Sequence, residues 1–388
     1  MMELLWLLLP VAAASGWLAA RRSDARAAAR RMPDAAYFKG LNYLLNEQPD
    51  KAIDVFTQLV EVDAETVETH LALGNLFRRR GEVDRAIRIH QNLIARDNLS
   101  DEQRALALLE LGQDYMRSGL FDRAENLFRE LAETRLYQEQ ALHNLRQIFE
   151  QEKDWERCLE SAARWERVTG EPLRLECAHY YCELAQGAIA AGDERGAAER
   201  LAQARSCDPR GVRAILLRAE LARKRGDAAA AIELLHSVER QDPDFMGETL
   251  PLLKECYRAL GREGEYGAYL RGLVTRTHGE AEVLALSRII QQEEGERAAL
   301  RFVLTHLQEY PSLEGLQRLL ALNLRGTQEL LPETLAVVEP MLGRLVAECP
   351  AYQCQRCGFS ARELHWQCPG CKGWSSIRRI RSLSCNKH

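Results

Sequence analysis

From Leu4 to Ala20 the chain carries no charged residue. Beyond that run, apolar positions settle into a helical rhythm that recurs along the sequence. The stretch Gly40 to Leu59 superimposes on Gly74 to Leu93 position for position, pairing Gly40 with Gly74, Tyr43 with Phe77, Ala52 with Ala86 and Leu59 with Leu93. The same marks return at Gly112, Tyr115, Gly119, Ala124 and Phe128, then at Gly192, Ala197, Ala204 and Pro209, then at Gly226, Ala231 and Pro243. Each unit predicts two antiparallel helices that cross closely where residues are small, with aromatic side chains filling the gaps between neighbouring pairs. Looser units are expected at Phe149 to Trp165, Tyr257 to Leu273, Leu286 to Pro311 and Leu316 to Ala347. Pro209, Pro243 and Pro311 each end a second helix, because proline cannot continue the ladder of the helix before it. No strand-rich segment precedes residue 350.

A period of about 34 residues with Gly, an aromatic and a small Ala is the tetratricopeptide signature. The pattern predicts an all-α tetratricopeptide-repeat solenoid over residues 35–348. About eight or nine hairpins would stack in a right-handed superhelix whose concave face holds a peptide or a helix.

The uncharged run at the start is at the short limit for a helix that crosses a bilayer. Trp6 and Trp17 stand near its two ends, where interfacial aromatics belong, and Pro10 lies mid-span, where it would kink the helix. A cleaved secretory signal carries its positive charges ahead of the apolar run. Here only Glu3 precedes it, and Arg21, Arg22, Arg26, Arg30 and Arg31 come after. Residues 1–20 therefore read as a transmembrane anchor and 21–34 as a basic juxtamembrane linker. The positive-inside rule keeps the chain beyond residue 21 in the cytoplasm and turns the N-terminus outward.

Charge is segregated. The net charge of −5 combines −1 from Glu3, +4 over residues 21–31, −14 over 32–351 and +6 over 352–388. Both ends of the part beyond the anchor are basic and the middle is acidic.

Near the C-terminus Cys354, Cys357, Cys368 and Cys371 form a CxxC–x10–CxxC array, the most specific chemical signal in the chain. Two thiolates on each of two tight turns supply the four ligands of a closed, structural zinc site with no open position for a substrate. Gly358 follows the first pair and Gly370 lies within the second, where small residues let backbone N–H groups point at sulfur. Residues 349–388 thus read as a small metal-binding ribbon, in which His365 has a surface role or supports the ligands from outside the shell. Tyr352, Phe359, Trp366 and Trp374 are a large aromatic load for such a unit. They are expected to form its core and to dock it on the last repeats, with Trp366 and Trp374 the docking residues. Burial alone cannot hold so small a unit, so the metal must contribute to its folding. The other seven cysteines, Cys158, Cys177, Cys182, Cys207, Cys256, Cys349 and Cys385, are scattered through helical sequence and fit a reducing compartment better than a disulfide framework.

Catalytic motifs are missing. The nine histidines occur singly without an HExxH pair, and the chain lacks GxxxxGK(S/T), GxGxxG and GxSxG. No catalytic residue is assigned, and the chain is read as not an enzyme.

The anchor, the helical repeats and the string YQCQRCGFSARELHWQCPGCKGWSSI at residues 352–377 together resemble the lipopolysaccharide assembly protein B (LapB/YciM) family over essentially the whole chain. The opening DAAYFKGLNYLLNEQPDKAIDVF at residues 34–56 is similar to that family's first repeat. The resemblance implies an inner-membrane protein with a rubredoxin-type metal knuckle packed on its repeats, and carries Cys354, Cys357, Cys368 and Cys371 over as metal ligands. It also implies a non-enzymatic adaptor that helps the FtsH protease degrade the LpxC deacetylase and so limits lipopolysaccharide synthesis. A PbgA/YejM-type inner-membrane regulator would restrain it. The last residues, Ser384 to His388, depart from the family's usual ending. Direct sensing of lipopolysaccharide and a homodimer are left open by the sequence.

Two other readings stand beside it. A tetrahedral four-sulfur site also suits iron, which would make the chain an electron carrier, although rubredoxins separate their knuckles much further than this chain does. Arg356, Arg362, Arg378, Arg379 and Arg381 interleave with aromatics as in a nucleic-acid-binding ribbon, against which the tether and the acidic body argue. Arg378, Arg379 and Arg381 would equally suit anionic lipid head groups.

Overall fold

Small residues at the helix crossings set the architecture. The computed structural model describes residues 37–380 except 44–45, 47, 63–66, 311, 327–339, 341–342 and 344–348. The apolar run at 4–20, the basic stretch at 21–34 and Cys385 lie outside these residues. Among the described residues no helix is long and apolar enough to cross a membrane.

The chain divides into two units, Met1–Pro172 and Leu173–His388. The first holds α1 (residues 37–43), α2 (Pro49–Val62), α3 (Val67–Arg80), α4 (Val83–Ile94), α5 (Asp101–Arg117), α6 (Phe121–Glu133), α7 (Gln138–Glu152) and α8 (Trp155–Thr169). The second holds α9 (Arg174–Ala190), α10 (Glu194–Cys207), α11 (Val212–Lys224), α12 (Ala228–Gln241), a 3-10 turn at Pro243–Phe245, α13 (Met246–Ala259), α14 (Glu263–Thr277), α15 (Glu280–Glu294), α16 (Glu296–Glu309) and α17 (Leu313–Gly326), then three short strands. Odd and even helices pair as hairpins, an all-α repeat fold that ends in a small ribbon.

Within each hairpin a side chain of the second helix lands against a small residue of the first. At Gly74 an added methyl would come within 2.3 Å of His90 Nε2, at Gly112 within 2.5 Å of Phe128 Cε1 and at Gly40 within 2.7 Å of Phe56 Cζ. Only a residue with no side chain lets a ring approach so closely. In the second unit the same places hold Ala185 with Leu201 and Ala219 with Leu235, all at most 1% exposed. There a methyl is exchanged for a ring, and the crossing stays filled.

Aspartates cap several second helices. Asp154, Asp193 and Asp227 accept from the backbone N–H of Arg157, Gly196 and Ala230, satisfying donors that a helix start leaves open. As the proline positions require, α10 and α12 stop at Cys207 and Gln241, just before Pro209 and Pro243. The looser units are framed differently from the sequence reading. Phe149 lies near the end of the first helix of its hairpin and does not begin it, because that helix starts at Gln138.

Cys158, Cys182 and Cys256 are buried free thiols. Burial pushes Cys158 well above the usual thiol range and Cys182 up to about 12, so neither is a nucleophile. Cys349 departs from the expectation of free thiols, since it is disulfide-bonded.

Candidate metal centre

Strands β1 (Tyr352–Cys354), β2 (Ser360–Ala361) and β3 (Ile377–Arg379) form one antiparallel sheet in the order β2-β1-β3, with Tyr352 opposite both Ala361 and Arg379. The sheet is too small to stand on burial alone, and two turns complete it. In the first turn the Gly358 N–H donates to the Cys354 carbonyl at 3.0 Å and the Cys354 N–H donates to Phe359 O at 2.8 Å. The second repeats this chemistry: Lys372 N–H donates to Cys368 O and Cys368 N–H to Gly373 O, both at 2.9 Å. The two knuckles share one design, with Gly358 at φ +76° and Lys372 at φ +57° in equivalent places.

These turns bring the four predicted cysteines together. Their Sγ atoms all lie within 4.8 Å of one another, and Cys354 to Cys371 and Cys357 to Cys368 are each 3.7 Å apart. A tetrahedral ion with metal–sulfur bonds of about 2.3 Å needs sulfurs about 3.8 Å apart, so the set fits such an ion. Cys354 and Cys368 are buried, whereas Cys357 and Cys371 reach the surface.

The electrostatics agree. Ser376 Oγ lies 3.4 Å from Cys354 Sγ, and the Arg356 N–H donates to the same sulfur at 3.4 Å. The hydroxyl first, with backbone N–H groups behind it, brings the Cys354 thiol down to about 6. Burial raises Cys368 to about 11. Without a cation the proton stays on Cys368, and a bound metal would displace it. At Gly370 an added methyl would stand 3.4 Å from Cys357 Sγ, so the backbone wraps the sulfurs closely. His365 is exposed, edge-on to Phe359 at 6.5 Å, and is not one of the cluster.

The expected split of the aromatics is seen. Tyr352, Ile377 and the two buried cysteines form the ribbon's own core, with Phe359 and Leu364 packed on it. Trp374 stacks on His179 at 4.7 Å and meets Tyr180 edge-on. Trp366 stacks on Phe245 at 5.4 Å, with the buried Arg213 guanidinium 6.0 Å from its ring. Arg213 is held in turn by Glu183 at 2.8 Å and by Gln186.

Basic and acidic partners also meet across this seam. Arg379 pairs with Glu314 at 3.3 Å, and the Tyr352 hydroxyl donates to Glu248. Arg378 lies 4.5 Å over Phe245 and 3.1 Å from Asp242, an ion pair by distance whose angle falls short of a hydrogen bond. Sequence reading missed His179, Glu248 and Ser376. The serine stands in the cysteine-rich string beside Ile377, but nothing in α9 or α13 singles out the other two.

Residues 352–379 match the family described as Rubredoxin metal binding domain, and residues 69–102 and 182–244 match tetratricopeptide repeats. The chain is 40% identical to lipopolysaccharide assembly protein B of Escherichia coli (strain K12), over 99% of each chain. It is 35% identical to the protein of that name from Haemophilus influenzae, over the full length of both. A solved repeat protein from Cytophaga hutchinsonii is 12% identical over 64% of this chain and 99% of its own, with a TM-score of 0.43. The repeats, the four-cysteine ribbon and these relatives together make the chain a member of the lipopolysaccharide assembly protein B family.

Proposed function

We propose that the chain is a non-catalytic, membrane-anchored adaptor that limits lipopolysaccharide synthesis by presenting the LpxC deacetylase to the FtsH protease. The single observation that carries this reading is a four-sulfur cluster that leaves no ligand position open and is built into a ribbon seated on α9, α11, α13 and α17. A metal held this way supplies rigidity, not a reaction, and so supports a scaffold. We assign the metal as zinc, held by Cys354, Cys357, Cys368 and Cys371. Residues 1–20 anchor the chain in the inner membrane with the N-terminus outside and the repeats in the cytoplasm. A PbgA/YejM-type protein restrains it from the membrane side.

The test is the half-life of the deacetylase after translation is blocked. Deleting the gene is expected to lengthen it several-fold, with restoration by the wild-type chain and not by Cys368→Ser. A half-life unchanged on deletion overturns the reading.

A further inference from the structure

Arg79, Gln113 and Gln147 occupy one repeat position in three successive hairpins, each a full repeat from the one before. They lie toward the C-terminal ends of α3, α5 and α7, and α3 packs on α5 as α5 packs on α7. The three side chains therefore form a row. With Met116, Arg117 and Asn144 they line an open groove of about 490 Å³ in the first unit.

Two of the three guanidiniums in this groove are unspent. Arg78, which also lines it, is satisfied by Glu110 at 2.5 Å and Asp114 at 2.8 Å. Arg79 and Arg117 are exposed, and among the described residues neither meets a carboxylate. Asn144 is only 8% exposed, yet its carboxamide has no hydrogen-bond partner among the described residues. The amide is thus free to pair with a ligand in the groove it lines.

We propose that this groove binds an extended acidic segment of a partner protein. The two guanidiniums take side-chain carboxylates. Gln113, Asn144 and Gln147 both donate and accept, which matches the alternating N–H and C=O of a peptide. A phosphate offers acceptors only and would leave the amide oxygens unmatched. Two interhelix steps of about 9 Å each span about five or six extended residues. The chain's own basic segments, 21–31 and 352–388, have the wrong sign for this occupant. The inference rests on the adaptor reading in taking the occupant from another protein.

The test uses the full-length chain in detergent and fluorescent hexapeptide pools in which Asp or Glu alternates with small apolar residues. A matched pool carries Asn and Gln instead. The acidic pool is expected to bind at least about tenfold tighter and to weaken with salt. The R79E/R117E double variant should lose about tenfold in affinity while its melting temperature stays within about 1 °C, because both sites are exposed. Asn144→Ala should weaken binding about threefold. Equal binding of the two pools, or an acidic pool indifferent to R79E/R117E, overturns the proposal. So does direct binding of glycerol 3-phosphate, lost in R79E/R117E, with no binding of the acidic pool, which would make the groove a head-group site. Deacetylase turnover is read separately in cells, so failure here leaves the adaptor reading standing.

Discussion

His179 lies flat on Trp374, with ring centroids 4.7 Å apart and planes 16° from parallel, while its Nε2 shares a 2.7 Å hydrogen bond with Ser375 Oγ. Burial first, and the Arg213 guanidinium second, bring this imidazole down to about 3 from 6.5. The ring is therefore neutral in the folded protein and takes a proton only when released. Between those two values the unfolded chain binds more protons, so stability falls as pH drops below 6.5, by at most about 1.4 kcal/mol per unit. Melting the metal-loaded protein at neutral and mildly acid pH should show a larger loss for wild type than for His179→Phe. Parallel losses would remove the role assigned to His179, since the metal's own pH response is common to both.

Stripping the metal should undo the ribbon and expose its docking face. A structural ion contributes on the order of 10 kcal/mol to the folding of such a unit. Chelation, or Cys368→Ser, is expected to shift Trp366 and Trp374 emission to the red and to open residues 350–380 to protease. Wild type should hold one metal per chain by elemental analysis, and the variant close to none. An unchanged emission spectrum in the metal-free protein would show that packing alone holds the seam.

Glycines in the first unit should fail for two different reasons. A methyl at Gly74 would press within 2.3 Å of His90, whereas one at Gly81 would meet nothing within 4 Å but would sit at φ +87°. Gly74→Ala is expected to cost about 1–3 kcal/mol by overpacking. Gly81→Ala costs about 1–2 kcal/mol through its backbone conformation. At the equivalent crossing, where a methyl on Gly112 would come within 2.5 Å of Phe128, Phe128→Leu should recover about 1 kcal/mol beside Gly112→Ala, recreating the Ala–Leu pairing of Ala219 and Leu235, and nothing beside Gly81→Ala. Additive losses in the first pair would contradict the close approach.

The knuckles offer a gain. Lys372 occupies, at φ +57°, the place that glycine fills in the first knuckle. Lys372→Gly should relieve about 1 kcal/mol of strain and slow the release of metal to a chelator. Gly358→Ala should speed release. Release rates in the opposite order would mean that the two turns are not equivalent.

The repeat was legible because it is written in residue volumes. Gly40, Gly74 and Gly112 mark close crossings in the sequence as plainly as in the structure, and the doubled CxxC needs only spacing. Where the unit drifts to Ala185 and Ala219 the marks fade, since alanine is common for many other reasons. The turn inside each hairpin, not the helix start, is the more visible sign there, which is why the hairpin containing Phe149 reads as beginning too late. The seam was half visible: Trp366 and Trp374 stand out as aromatic excess. Their partners could not be read, because His179 and Phe245 are ordinary helical residues until a ribbon from the far end of the chain is folded over them.

That seam also changes how the second unit should melt. Stacked hairpins touch only their neighbours and can fray one at a time from an end. Here a single small element touches His179 on α9, Arg213 on α11, Glu248 on α13 and Glu314 on α17. It ties together hairpins that the stack alone would leave independent. The second unit should therefore lose its structure in one concerted step, and only the ribbon's departure would return it to piecemeal fraying.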